Sequence, residues 1–185
     1  MNQALDRAVR VFSERGYHGT SISDLTREMG LAQGSIYKAF GDKQGVFIAG
    51  FERYRALRVD RLWQAVGTHG SGCERLRRAL AFYVESSQGA EGLLGCLVVG
   101  SAAELSTFEP EVARHIISAL ERNEAFLADL VRAGQEDQSL ASTVDPGAAS
   151  RMLLCLVQGM RIIGKTGRTR EEMQAAVDTA LRALI

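Results

Sequence analysis

At 185 residues the chain has room for one domain or for a small domain on a larger one, and 46% apolar residues with only two prolines suit a mostly helical fold with a sizeable core. No apolar run reaches the ~20 residues of a membrane span, and the start MNQALDRAVR sets its arginines among apolar residues in a helical pattern, unlike a signal peptide; a cytoplasmic protein without a membrane partner is expected. The formal net charge is zero, so bulk charge alone cannot drive strong polyanion binding, but residues 1–61 carry ten Arg or Lys against seven Asp or Glu, and the remainder carries the opposite excess.

Taken in order, the pattern predicts about nine helices and an all-α fold. The first runs over 3–15, with Leu5, Ala8, Val9 and Phe12 as its apolar stripe and Gly16 as its stop. Tyr17 is expected to pack under the next two helices, and His18 to be a solvated loop residue. Thr20 and Ser21 lie at the start of the second helix, where their hydroxyls can cap it or face a phosphate. Ser21 followed by Asp24 is a capping-box start, Ile22, Leu25 and Met29 share one face, and Gly30 ends the helix. Leu31 then plugs a tight turn. The third helix, 33–40, buries Ile36 and Phe40 and shows Gln33, Gly34, Ser35, Tyr37 and Lys38 on its other face. A short helix whose outer face is rich in donors fits a major groove or a strip of phosphates. The pair reads as a helix-turn-helix, with duplex DNA as its partner.

Position by position, Gln33 can pair with adenine, Gly34 lets the backbone come close, Tyr37 offers a hydroxyl, and Lys38 reaches a base or a phosphate. Asp42 caps a long fourth helix over 43–66. Lys43 in its first turn opposes the helix dipole, a cost that a phosphate partner would offset. Val46, Phe47, Phe51 and Tyr54 pack on the small domain, and Leu57, Leu62, Trp63 and Val66 belong to a second core. Arg53, Arg55, Arg58 and Arg61 form a solvated face. Ser71 and Glu74 cap a fifth helix over 72–88, which the polar stretch SSQGAEG breaks. LLGCLVVGSAAEL, apolar nearly all round, is expected to be one buried helix. Pro110 opens a helix to about residue 137, with Ile116, Ile117, Leu120, Phe126, Leu127, Leu130 and Val131 in its stripe. Asp145 and Pro146 open another, to about 165, too apolar for one buried stripe. Thr169 and Glu172 cap the last. The surplus apolar surface of these two C-terminal helices, about 146–184, suggests a homodimer about a two-fold axis.

The run from Ala4 to Tyr54, ALDRAVRVFSERGYHGTSISDLTREMGLAQGSIYKAFGDKQGVFIAGFERY, resembles the DNA-binding domain of the TetR family of transcriptional regulators. AVRVFSERGYHGTSI, GSIYKAFGDK and VFIAGFERY carry the match, and GCLVV is similar to the C-terminal domain of one TetR subgroup. The resemblance implies a DNA-binding domain over 1–48 and an effector-binding and dimerisation domain over 49–185. It implies a homodimeric repressor on a pseudo-palindromic operator, released by a small molecule, with DNA contacts from Gln33, Gly34, Ser35, Tyr37 and Lys38; Thr20, Ser21 and Lys43 join them as candidate phosphate contacts on the physical grounds given above. Most relatives carry a basic arm before the first helix; here that arm is expected to be absent or very short. The resemblance also implies an effector pocket, for which Trp63, Phe82, Tyr83, Cys96, Phe126, Met152, Cys155, Gln158 and Met160 are candidate walls, although each also suits an ordinary core. Without a cationic cluster in those helices, an apolar or aromatic effector is expected. Glu104 suits either a polar pocket group or a solvated carboxylate.

Two alternatives stand beside this reading. Cys73, near a helix N-terminus and beside Arg75, Arg77 and Arg78, has surroundings that favour a thiolate, which fits a thiol or redox-sensing repressor. The neutral charge and short N-terminus suit a helical interaction protein that has lost operator binding. Cys73, Cys96 and Cys155 are odd in number and far apart, against a disulfide framework or CxxC metal site, and His18, His69 and His115 lack i,i+4 partners; no metal and no cofactor is expected. There is no nucleophile motif, phosphate-binding glycine loop or paired acid site, so an enzyme is not expected.

Overall fold

Capping residues and glycines divide the chain into ten α-helices without a strand, in a computed structural model that describes residues 1–185. They are α1 (Asn2–Arg15), α2 (Ile22–Met29), α3 (Gln33–Phe40), α4 (Lys43–Val66), α5 (Gly72–Ser86), α6 (Gly89–Leu94), α7 (Leu97–Ala103), α8 (Pro110–Glu136), α9 (Pro146–Ile163) and α10 (Arg170–Arg182). Single 3-10 turns cover Leu105–Thr107 and Gly164–Thr166. The all-α fold is therefore as expected.

The local signals work as their chemistry requires. Ser21 with Asp24, Ser71 with Glu74 and Thr169 with Glu172 each form a complete capping box, satisfying two otherwise unpaired N–H groups at a helix start. Asp42 accepts from the Gly45 N–H at 2.8 Å, and Asp145 accepts from the Ala148 N–H at 2.6 Å beside Pro146. Gly30 closes α2 in the left-handed conformation at φ 68°, which a side chain rarely adopts.

One expected helix is two. The chain over LLGCLVVGSAAEL turns at Gly95, whose φ of 86° lies outside the right-handed helical region, and restarts after Cys96. The polar stretch before it, expected to be a break, contains the first turn of α6. Leu93 and Gly100 face solvent, so this region is not buried all round.

Two compact units emerge, Met1–Val59 with Leu94–Ala119, and Asp60–Leu93 with Leu120–Ile185. Helices α4 and α8 each contribute to both. The first unit is built on Phe12, Leu25, Ile36, Val46, Phe47, Phe51 and Ile116. In α1 the buried stripe includes Val11, whereas Val9 is only half-buried. The second unit buries Leu76, Leu80, Val131, Leu153, Val157, Val177 and Leu181 in one cluster. Leu57 and Trp63, expected in that core, are about half exposed. The arginines of α4 are paired rather than free: Arg53 bridges Asp6 at 2.6 Å, Arg55 bridges Glu52 at 2.7 Å and Arg61 bridges Glu91 at 3.1 Å. On α9 the excess apolar surface is real, with Met152, Ile162 and Ile163 all exposed.

Gly164 tests the packing of the second unit. A Cβ there would lie 2.4 Å from the Ser87 carbonyl oxygen, which is backbone and cannot swing away. Gly164→Ala is expected to destabilise the protein by about 1–3 kcal/mol in denaturant unfolding, as overpacking does. Gly100→Ala, inside α7 with open space around its Cβ, should instead stabilise by roughly 0.5–1 kcal/mol.

Candidate nucleic-acid interface

The interface grows from the burial of α2 and α3 against the first unit. Leu25, Met29 and Ile36 are buried, which turns the opposite face of α3 outward. Gln33, Gly34, Ser35, Tyr37 and Lys38 are all exposed on it, and Tyr37 keeps 45% of its surface. Phe40 is half-buried. A Cβ on Gly34 would meet nothing within 4 Å, so the backbone is bare there. Ala32 precedes α3 without a side-chain cap, and its carbonyl accepts from the Ser35 and Ile36 N–H groups at 2.9 and 3.2 Å.

The two hydroxyls at the start of α2 part company. Thr20 is 1% exposed, and its hydroxyl donates to the Gly16 carbonyl at 2.7 Å. This corrects its expected role in DNA contact: a buried, internally bonded hydroxyl presents nothing to a phosphate. Ser21 stays exposed, but it is engaged with Asp24. Its N–H donates to Oδ2 at 3.0 Å, its hydroxyl donates to Oδ2 at 2.6 Å, and its Oγ accepts from the Asp24 N–H at 3.1 Å.

Asp24 also gathers Arg15 at 2.7 Å and Arg27 at 2.9 Å. The Ser21 hydroxyl and N–H, with Arg15 and Arg27, hold its carboxyl well below the usual carboxylate range.

Lys43 is half-buried at the start of α4. Its ammonium donates to the Tyr17 carbonyl at 3.1 Å and sits 4.2 Å from the centroid of the Tyr17 ring. Tyr17 packs as expected, within a cluster of rings: Phe47 and Phe108 each lie 5.1 Å away by centroid, and Phe12 lies at 6.1 Å. Burial, then the charges of Asp42 and Glu109, push its hydroxyl up from the ordinary phenol value, so the ring stays neutral at neutral pH. His18 is exposed but not merely solvated. Its Nε2 meets Thr107 Oγ1 at 2.8 Å, and that hydroxyl already donates to the Glu104 carbonyl at 2.6 Å. Thr107 has one proton to give, so His18 is the donor, from Nε2–H. The half-buried Glu104 sets its carboxylate over Gly16, where a Cβ would lie 3.1 Å from Oε1.

The expected effector-pocket residues are dispersed. Trp63, 49% exposed, meets the edge of Phe126 at 5.0 Å. Phe82 and Tyr83 pack together at 5.6 Å, Tyr83 being buried in the second core. Cys96 belongs to the first unit and accepts from the Tyr54 hydroxyl at 3.4 Å. Met152 and Cys155 are exposed on α9 and Gln158 is half-buried there. A groove of about 470 Å³ lies between α9 and α10, its apolar wall made by Cys155, Leu156, Met160, Ile163 and Met173. Of the candidate walls, Cys155 and Met160 line it. Arg161, which no sequence pattern singles out, is 2% exposed within the second unit.

Cys73 is half-buried against the second core, and its N–H donates to Ser139 Oγ at 3.0 Å. The neighbouring Gly72 N–H donates to the Asp137 carboxylate at 2.6 Å. A carboxylate therefore already occupies the positive end of α5.

Comparison with known proteins agrees with this geometry. Residues 4–49 match the family model of bacterial regulatory proteins of the tetR family, and residues 72–180 match that of the tetracyclin repressor-like C-terminal domain. The chain is 28% identical over 181 residues to YezE of Bacillus subtilis, an uncharacterized HTH-type transcriptional regulator, covering 97% of this chain and 93% of that one. It is 27% identical over 185 residues to the HTH-type transcriptional repressor ComR of Escherichia coli, covering 97% and 86%. Among solved structures, a cysteine mutant of the TetR family transcriptional regulator CifR, complexed with 26-base-pair operator DNA, superposes with a TM-score of 0.88 at 28% identity, covering 100% of this chain and 96% of that one. The reduced form of E. coli NemR shares the fold, with a TM-score of 0.85 at 22% identity over 99% and 96% of the two chains.

The pairing at Asp24 has a pH consequence. A carboxyl held below its unfolded value contributes stability that is present above about pH 4 and lost as pH falls further toward the folded value. The stability difference between wild type and Asp24→Asn, measured by urea unfolding, should be flat from neutrality to about pH 4 and shrink below it. A difference that stays flat as pH falls well below about 4 would show that the pairing is not made.

Proposed function

Because the chain belongs to the TetR family of bacterial transcriptional regulators, and is thereby a DNA-binding regulator rather than an enzyme, we propose that it is a homodimeric repressor that reads a pseudo-palindromic operator and is released by a small molecule. The outward face of α3 carries this reading: Ile36 anchors the helix while Gln33, Gly34, Ser35, Tyr37 and Lys38 stand free of the core. Gln33 and Lys38 supply base-edge or phosphate contacts, Tyr37 gives its hydroxyl to a phosphate, and Lys43 adds a phosphate contact from the start of α4. Ser21 sits beside them as the cap of α2. Repression rather than activation rests on relatives such as ComR, a named transcriptional repressor.

The DNA-binding role belongs to residues 1–48, and effector binding with dimerisation to residues 49–185. The exposed Ile162 and Ile163 and the apolar groove between α9 and α10 support a two-fold contact through these helices. Two recognition helices so joined meet half-sites about 34–36 Å apart. Effector binding in the second unit reaches the DNA along α4, which is continuous through both units. An apolar or aromatic effector and a cytoplasmic location, where duplex DNA is found, complete the proposal; no helix is long and apolar enough to cross a membrane.

Mobility-shift titrations over a salt series, on duplexes selected by the protein from a random pool, provide the test. Tyr37→Ala and Lys38→Ala should each weaken binding by about 1–3 kcal/mol without lowering the melting temperature. Unchanged affinity in both variants would remove α3 from the interface. For the dimer, Ile163→Asp puts a charge on an exposed position, so it should fold but sediment as a monomer and lose operator affinity. A variant that remains dimeric would exclude this face as the contact.

A further inference from the structure

We propose that Tyr17 and Phe108 are positioning residues for DNA binding, holding the Lys43 ammonium ready for an operator phosphate. The inference rests on the reading of Lys43 as a phosphate contact. An ammonium has three N–H donors. One is given to the Tyr17 carbonyl at 3.1 Å, while the ring face at 4.2 Å attracts the charge without using a donor. Two donors remain for a phosphate. An unrestrained lysine surrenders its rotamer freedom when it binds; one already held on Tyr17 has surrendered it on folding, so binding costs less. The same contacts offset the unfavourable position of a cation in the first turn of α4.

What holds Tyr17 is remote in sequence. Phe108 lies 5.1 Å from Tyr17, 5.6 Å from His18 and 5.5 Å from Phe47 by ring centroids. The bond from His18 Nε2–H to Thr107 pins the same connection one residue further on. Glu104 covers Gly16 at its start, where φ is 73°. Segment 104–108 thus clamps the connection 16–18, and that connection holds Lys43. A change in the position of this segment is transmitted to the cation at the protein surface, although Phe108 itself is not on the outer face of α3.

A double-mutant cycle tests it. Wild type, Lys43→Gln, Phe108→Leu and the double variant are titrated against a duplex selected by the wild type, over a salt series, with melting curves to confirm folding. Lys43→Gln should lower the slope of log K against log salt by about 0.9 per lost contact. Phe108→Leu alone should weaken binding by about two- to fivefold per protomer, the scale of a lost cation–ring contact. In the Lys43→Gln background the same substitution should change affinity less than twofold, because its effect runs through the lysine. Additive effects, or full affinity in folded Phe108→Leu, would overturn the positioning role. An unchanged salt slope in Lys43→Gln would instead overturn the phosphate reading of Lys43, and this proposal with it. Should Phe108→Leu fail to fold, Tyr17→Leu, which removes the ring face and keeps the carbonyl, takes its place in the same cycle.

Discussion

The packing of rings around Phe47 is the contact on which the DNA-binding unit depends. Phe47 is buried at the first turns of α4, edge-on to Phe12 of α1 at 5.1 Å and to Tyr17 at 5.1 Å, and stacked near Phe51 at 5.7 Å. Those contacts join α1, α4 and the connection after α1 in one small core. Aromatic pairs in such geometries add stability beyond the area they bury. With α1 held, Leu25 and Ile36 have a surface to bury against, and the outward aim of α3 is a consequence of their burial.

Charge in the first unit is arranged as pairs before it is arranged as a field. Arg15 and Arg27 share Asp24, Arg53 is met by both oxygens of Asp6, and Arg10 approaches Glu28. Exposed pairs of this kind add little to stability. Their effect is to confine positive charge to particular places, so that exposed Lys38 and the held Lys43 count for more than the small basic excess suggests. That is consistent with a chain of zero net charge whose family binds DNA.

The second unit poses the opposite problem, too much apolar surface for one chain. Leu153 and Val157 face inward on α9 while Ile162 and Ile163 face outward, and the groove beside them is walled by α10. Arg161 lies buried between these two sets in sequence. A helix with an apolar outer face and a cation taken inside departs from simple amphipathic order, and the departure falls where the proposed dimer contact lies.

Helix starts and stops were legible from the sequence because their causes are local. Ser21 and Asp24, Ser71 and Glu74, Thr169 and Glu172 lie three residues apart, and the capping box needs nothing else. The 3.6-residue period likewise identified Leu25, Ile36 and Leu127 as core, since the helix itself places them on one face. The break at Gly95 escaped because an apolar run has the same composition whether continuous or bent. Only the tertiary structure decided the fate of individual side chains. Thr20 is lost to the interface because Gly16 turns its carbonyl toward it, Trp63 is half exposed because its neighbours leave it uncovered, and the candidate pocket residues are scattered by the folding of their helices. Tyr17 and Phe108 stand some ninety residues apart, and no period or motif links them. Their contact exists only once α1, α4 and the segment after α7 have been brought together, and burial depends on that assembly.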